Sequence, residues 1–135
     1  VDASRLYVAN IGDSRLYVLD RDTIRQITLD HSLVEELIRT GQLDPLKVRN
    51  HPEKNIITRA LGANEEAIPD FFEIELHMDE KILMCSDGLS NMVEDDEIQN
   101  IIIEAEQPEA AVIRLIDRAN YYGGKDNIAA LVVAQ

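Results

Sequence analysis

Residues 81–91, KILMCSDGLSN, decide how this chain folds. Ile82, Leu83, Met84 and Cys85 form an unbroken apolar run, the pattern of a strand covered on both faces. The run stops at Ser86-Asp87-Gly88, a turn composition. A carboxylate at the mouth of a buried strand is held by a rigid element yet reaches solvent or a cation. Read alone, an aspartate before glycine is more often a turn cap than a ligand.

Upstream of this stretch the pattern is that of strands. Residues 5–10 (RLYVAN) and 15–20 (RLYVLD) are a near-repeat around Gly12-Asp13, which predicts a β-hairpin. A third strand over 24–28 completes an antiparallel meander. Ser32 with Glu35 forms a capping box. Leu33, Val34, Leu37 and Ile38 follow at helical spacing and Gly41 stands at the C-cap. Asp44-Pro45 opens a second short helix. Ile56 and Ile57 are expected to return the chain to the core, before a polar loop over 62–70. Phe72, Ile74 and Leu76 share one face of a strand over 71–76.

Downstream, Glu94 to Glu97 supply the acidic first turn of a helix whose buried stripe is Ile98, Ile101, Ile102 and Ala105. Pro108 opens a further helix with Ala111, Val112, Leu115, Ile116 and Ala119 inward. Residues 121–127 form a loop and 128–134 a final buried strand. Strands linked mostly by hairpins, with two consecutive helices near the end, make an α+β fold on antiparallel sheet rather than a βαβ nucleotide fold.

The 135 residues amount to one domain, and 45% hydrophobic residues suffice for a core. The formal net charge of −13 argues against nucleic-acid binding, which needs a basic surface. No apolar run reaches the roughly 20 residues that span a membrane, and no signal segment opens the chain. One cysteine, Cys85, rules out an internal disulfide and fits a reducing compartment, hence a cytoplasmic location. The chain passes from Val1-Asp2-Ala3 almost directly into strand-like sequence without an initiator Met, so the N-terminal part of a larger domain is expected to be absent.

The chemistry rests on Asp13, Asp87 and Asp126, each beside or near glycine at the end of a strand. Carboxylates converging from separate strand ends suit Mg²⁺ or Mn²⁺. One Cys and the scattered His31, His51 and His77 make a zinc site untenable. No P-loop or GxGxxG is present, and Asp20-x-Asp22 lacks the later ligands of an EF-hand loop. Singly, each Asp-Gly pair remains a turn before it is a ligand.

The order of the motifs goes further. Gly12-Asp13-Ser14-Arg15, Ser86-Asp87-Gly88-Leu89 and Gly124-Lys125-Asp126-Asn127-Ile128 resemble the later blocks of the metal-dependent serine/threonine protein phosphatases, the protein phosphatase 2C (PPM) family. Asp30-His31-Ser32 with residues 55–62 (NIITRALG) is similar to the flap region of its bacterial members. The resemblance implies an antiparallel β-sandwich flanked by helices (α-β-β-α), incomplete at the N-terminus. Residues 1–135 would form the C-terminal part of one catalytic domain, with a flap at about 30–61. It implies that Asp87 and Asp126 ligate a binuclear Mg²⁺ or Mn²⁺ centre and that Asp13 serves a third ion. Ser32, Leu37, Arg39 and Arg49 would belong to a flap controlling substrate access.

The same resemblance implies hydrolysis of phosphoserine and phosphothreonine in proteins by in-line attack of water, with Ser/Thr kinases and their substrates as partners. Its phosphate-binding arginine, proposed general-acid histidine and DGMGGH-like block have no counterpart in these residues. This chain alone is therefore expected to be inactive, its exposed apolar surface driving self-association. Two other readings stay open: a noncatalytic, pseudophosphatase-like binding module, and a carboxylate Ca²⁺-binding domain.

Overall fold

A computed structural model describes residues 4–63 and 65–134, apart from the side chains of Arg49 and Asn50. The opening residues 1–3, Asn64 in the polar loop and Gln135 lie outside the description. Among the described residues, six strands form two antiparallel sheets. One pairs β1 (Arg5–Asn10) with β4 (Asp70–Glu75). The other has the order β3 (Ile24–Gln26), β2 (Arg15–Leu19), β5 (Lys81–Cys85), β6 (Ala130–Val133).

The period-2 alternation of β2 sorts its side chains between two cores. Leu16 and Val18 point towards the two-stranded sheet and join Leu6, Leu76 and Ile82. Tyr17 and Leu19 point the other way, with Leu83 and Cys85, onto Ile98, Ile102 and Leu115. Those last residues are the inward stripes of α3 (Asp95–Glu104) and α4 (Pro108–Tyr121). The layers are thus sheet, sheet and helices, as expected from the resemblance. Among the described residues, the outer face of the β1–β4 sheet carries no helix, and Phe71 and Tyr7 are exposed there.

Four expectations need correction. The 5–10 and 15–20 strands form, but they do not pair as a hairpin. β1 joins β4 and β2 joins β3 and β5, so residues 11–14 are a corner between sheets, with Gly12 at φ +108°. Local alternation cannot distinguish a hairpin from such a corner. Second, β5 is not covered on both faces throughout. Cross-strand neighbours Leu16, Met84 and Leu131 form one row, and the last two are 50% and 51% exposed while Leu16 is buried.

The adjoining row of Val18, Ile82 and Val133 likewise opens only at β6, where Val133 is 41% exposed. The two-stranded sheet covers β2 but stops short of the β6 edge, leaving a groove of about 310 Å³ lined by Val8, Leu16, Met84 and Leu131. The final strand, the third correction, is therefore half-exposed rather than buried. Last, Ile56 and Ile57 are about half exposed. Their backbone is what returns to the protein: Ile56 O accepts from Leu33 N (2.9 Å), and Ile57 bridges Ser32.

The excursion between β3 and β4 holds α1 (Leu33–Arg39) and a 3₁₀ helix (Pro45–Asn50). Their starts follow the sequence signals. Ser32 Oγ accepts from Glu35 N, and Asp44 Oδ1 accepts from Leu46 N with Pro45 at the first helical position.

Candidate metal and substrate cleft

Strand register brings the motif aspartates to one end of the sheet. Arg15 of β2 lies opposite Cys85 of β5, which lies opposite Ala130 of β6. The chain before Arg15, after Cys85 and before Ala130 therefore leaves the sheet at the same edge. Those three stretches carry Asp13, Asp87 and Asp126.

Beyond Cys85 the chain forms a single helical turn, α2 (Asp87–Ser90), with Asp87 as its first residue; the Ser-Asp-Gly turn expected from sequence is thus a helix start. The 126–129 loop is stitched to it. Ser86 N donates to Ala129 O (3.0 Å), Ser86 Oγ donates to Asn127 O (3.0 Å), and Ala129 N donates back to Ser86 Oγ (3.0 Å). Gly88 lies so close to this loop that an added Cβ would stand 2.2 Å from Asn127 O. The glycine of the motif is required by contact between α2 and this loop.

Asp13 and Asp87 share a cleft of about 400 Å³. Burial and the neighbouring Asp87 charge raise the Asp13 carboxyl above its ordinary range, with Asp30 adding to the effect. Asp87 receives one long hydrogen bond, from Asn91 Nδ2 (3.4 Å). Two oxygen-donor carboxylates held together against their own repulsion fit a hard divalent cation. Asp126 stands in the adjoining loop, its Oδ1 accepting from Asn127 N (2.7 Å), and does not line the cleft. Among the described residues no three His, Cys, Asp or Glu side chains group as a metal-binding cluster.

Arg15, in the same cleft, is held by Asp30 through Nε (3.0 and 3.1 Å) and Nη2 (2.7 Å), and donates to Tyr17 Oη (3.0 Å). Burial works against its charge, but these partners outweigh burial and raise its pKa. Arg15 is thus a structural partner beside the turn. Cys85, opposite Arg15 in the sheet, is buried in the core, its thiol pushed up to about 12 by burial, as suits a core residue rather than a nucleophile.

Of the flap residues singled out from sequence, Ser32 lines the cleft. Leu37 is half-buried within α1, and its carbonyl accepts from Gln42 N and Leu43 N. Arg39 is exposed at the end of α1. Neither reaches the cleft wall, and the side chain of Arg49 lies outside the description. The wall is built instead from Val34, Pro45, Leu46, Val48 and Lys54, with Leu46 91% exposed. The Asp44-Pro45 helix signal located this segment without showing which side chains it presents. His31, discounted as a zinc ligand, proves to be buried and bonded on both ring nitrogens.

The sequence profile of the family described as Protein phosphatase 2C matches residues 1–128. The chain belongs to this family. Among phosphatase 2C relatives, the serine/threonine phosphatase stp of Listeria welshimeri serovar 6b is 44% identical over 130 residues, covering 96% of this chain and 52% of that protein. The crystal structure of serine/threonine phosphatase Stp1 from Staphylococcus aureus superposes with a TM-score of 0.96 at 36% identity, over 100% of this chain and 53% of that one. The catalytic domain of serine/threonine protein phosphatase PstP, solved in complex with two manganese ions, matches with a TM-score of 0.85 at 32% identity, over 98% and 54%. The chain spans about half the length of the curated relatives it matches. No helix among the described residues is long and apolar enough to cross a membrane.

Proposed function

We propose that these residues are the C-terminal part of a phosphatase 2C catalytic domain that hydrolyses phosphoserine and phosphothreonine in proteins, with Mg²⁺ or Mn²⁺ as cofactor. The observation that carries this reading is the meeting of Asp13 and Asp87 in one cleft at the ends of paired strands. The manganese ions of the PstP structure support the choice of metal. In this reading Asp87 and Asp126 hold two ions and Asp13 contributes to a third. The ions would supply Lewis acidity and a water deprotonated near neutral pH. Arg15 keeps Asp30 at the side of the cleft, and residues 30–61 form the flap, whose Leu46 and Val48 shape the path of a phosphorylated segment.

Phosphorylated proteins, including Ser/Thr kinases and their substrates, are the partners of this reading. The free, buried Cys85 supports a cytoplasmic location. In the full-length protein, Asp87→Asn or Asp126→Asn is expected to abolish Mn²⁺-dependent phosphatase activity, because either change removes charge that offsets the metal; near-wild-type turnover would overturn the assignment. The 135 residues alone are expected to leave p-nitrophenyl phosphate unhydrolysed in Mn²⁺, and robust hydrolysis would refute the division of the site between two halves.

A second reading, a noncatalytic binding module, is supported by the place of Asp126, held in its own loop by Asn127 N beside the cleft that Asp13 and Asp87 share. Full-length protein that binds a phosphopeptide without turning it over in Mn²⁺ would decide for it.

A further inference from the structure

We propose that His31 is a positioning residue whose imidazole, anchored by Asp70, clamps Gly12 and so sets the Asp13 carboxylate at the cleft. The inference rests on the reading of Asp13 as a metal ligand. Gly12 has φ +108°, a conformation that an L-residue avoids and that a glycine does not hold without help. Both of its backbone polar groups are held by His31. Gly12 N donates to His31 Nδ1 (3.1 Å), and Gly12 O accepts from His31 N (3.0 Å). The two peptide planes flanking Gly12 are thereby fixed by one residue, and the second plane contains the Asp13 amide. Asn10 Nδ2 adds a longer bond to Gly12 O (3.4 Å).

Because Nδ1 accepts, the ring proton sits on Nε2, which donates to Asp70 Oδ2 (2.9 Å). Arg59 Nη1 donates to Asp70 Oδ1 (3.0 Å) and lies 3.4 Å from Nε2. The His31 carbonyl O in turn accepts from Thr58 N (2.8 Å). One buried imidazole thus joins the Asp13 corner, the start of β4 and the returning limb of the flap. Outer partners that orient ligands commonly change metal affinity by about 10–100-fold when removed.

Two substitutions divide the clamp. Asn presents Oδ1 near the position of Nδ1, so His31→Asn can still accept from Gly12 but cannot reach Asp70. Gln presents Nε2 near the ring Nε2, so His31→Gln can still donate to Asp70 but leaves the Gly12 amide without its acceptor. In the assigned amide NMR spectrum of the full-length protein, two quantities are read. One is the exchange protection of the Gly12 amide; the other is the Mn²⁺ concentration that half-broadens the Asp13 and Asp87 amides.

His31→Asn, which loses only the Asp70 anchor, should lower Gly12 protection and raise the Mn²⁺ concentration, each about threefold, below the usual range for a lost outer partner. His31→Gln should lower Gly12 protection and raise the Mn²⁺ concentration, each about tenfold, at the low end of the range for outer-shell changes. A folded His31→Gln variant that broadens at the wild-type concentration overturns the role of His31 alone. Wild-type Asp13 and Asp87 amides unaffected at millimolar Mn²⁺ overturn the metal reading beneath it. If both variants lose the dispersed spectrum, Asp70→Ala, which leaves His31 in place, is the remaining test: an unchanged Mn²⁺ response there, or a third loss of fold, overturns the proposal.

Discussion

Gly88 shows how a single absent methyl group can hold a site together. Asp87 precedes it, and Asn127 O would stand 2.2 Å, and the Asn127 carbonyl carbon 2.9 Å, from an added Cβ. Both obstacles are backbone, so they cannot rotate aside. Gly88→Ala must push α2 and the 126–129 loop apart, stretching the bonds between Ser86 and residues 127 and 129. It is expected to cost about 1–3 kcal/mol, as overpacking usually does, measured as a lowered urea midpoint; an unchanged midpoint would mean that α2 and the loop do not meet. The alanine is compatible with helix, so the cost comes from the contact alone. Asp13 and Asp87 were legible in the sequence because glycine-flanked aspartates in a fixed order mark strand ends. The partnership of Gly88 with Asn127, and of His31 with Gly12, was not, because each joins residues far apart along the chain through backbone atoms that carry no sequence signature.

At the scale of elements, the helices read more faithfully than the sheets. The starts of α1 and the 3₁₀ helix coincide with Ser32 and Asp44 because capping is local chemistry. Strand pairing is not local: residues 5–10 and 15–20 satisfy every hairpin rule and still part into two sheets, since β4, arriving some sixty residues later, takes the edge of β1.

The turn between β2 and β3 is one place where a hairpin is real, and Asp20 organises it. Its Oδ1 accepts from Thr23 N (2.7 Å) and Asp22 N (2.8 Å), which hold its carboxyl below the ordinary value of 3.8. A depressed folded-state value means that the carboxylate stabilises the fold above pH 3.8 and that this contribution fades as pH falls further. Asp20→Ala should therefore unfold at lower urea than wild type at pH 7, with the gap narrowing as the pH is taken below 3.8. A gap that widens on acidification would show that the carboxylate does not serve the turn.

For the whole molecule, two opposing terms govern whether copies associate. The inter-sheet groove leaves Met84, Leu131 and Val133 partly in water along the free edge of β6, and an exposed apolar strand edge is a template for pairing. Against it stands the net charge of −13, which makes copies repel. Screening separates the two. The Debye length shortens from about 30 Å at 0.01 M salt to about 8 Å at 0.15 M, weakening the repulsion while leaving the burial of apolar surface in place. The 135-residue chain should therefore shift from monomer towards dimer by light scattering as salt rises. Leu131→Lys places a charge on the exposed face of the edge strand, where natural edge strands often carry lysine. It should keep the chain monomeric at the higher salt with little loss of stability, because the side chain it replaces is already half in water. Monomeric wild type at both salt concentrations would rule out the groove as a self-association surface. A Leu131→Lys variant that dimerises like wild type would move the contact elsewhere, with the outer face of the β1–β4 sheet, where Phe71 and Tyr7 stand exposed, as the next surface to alter.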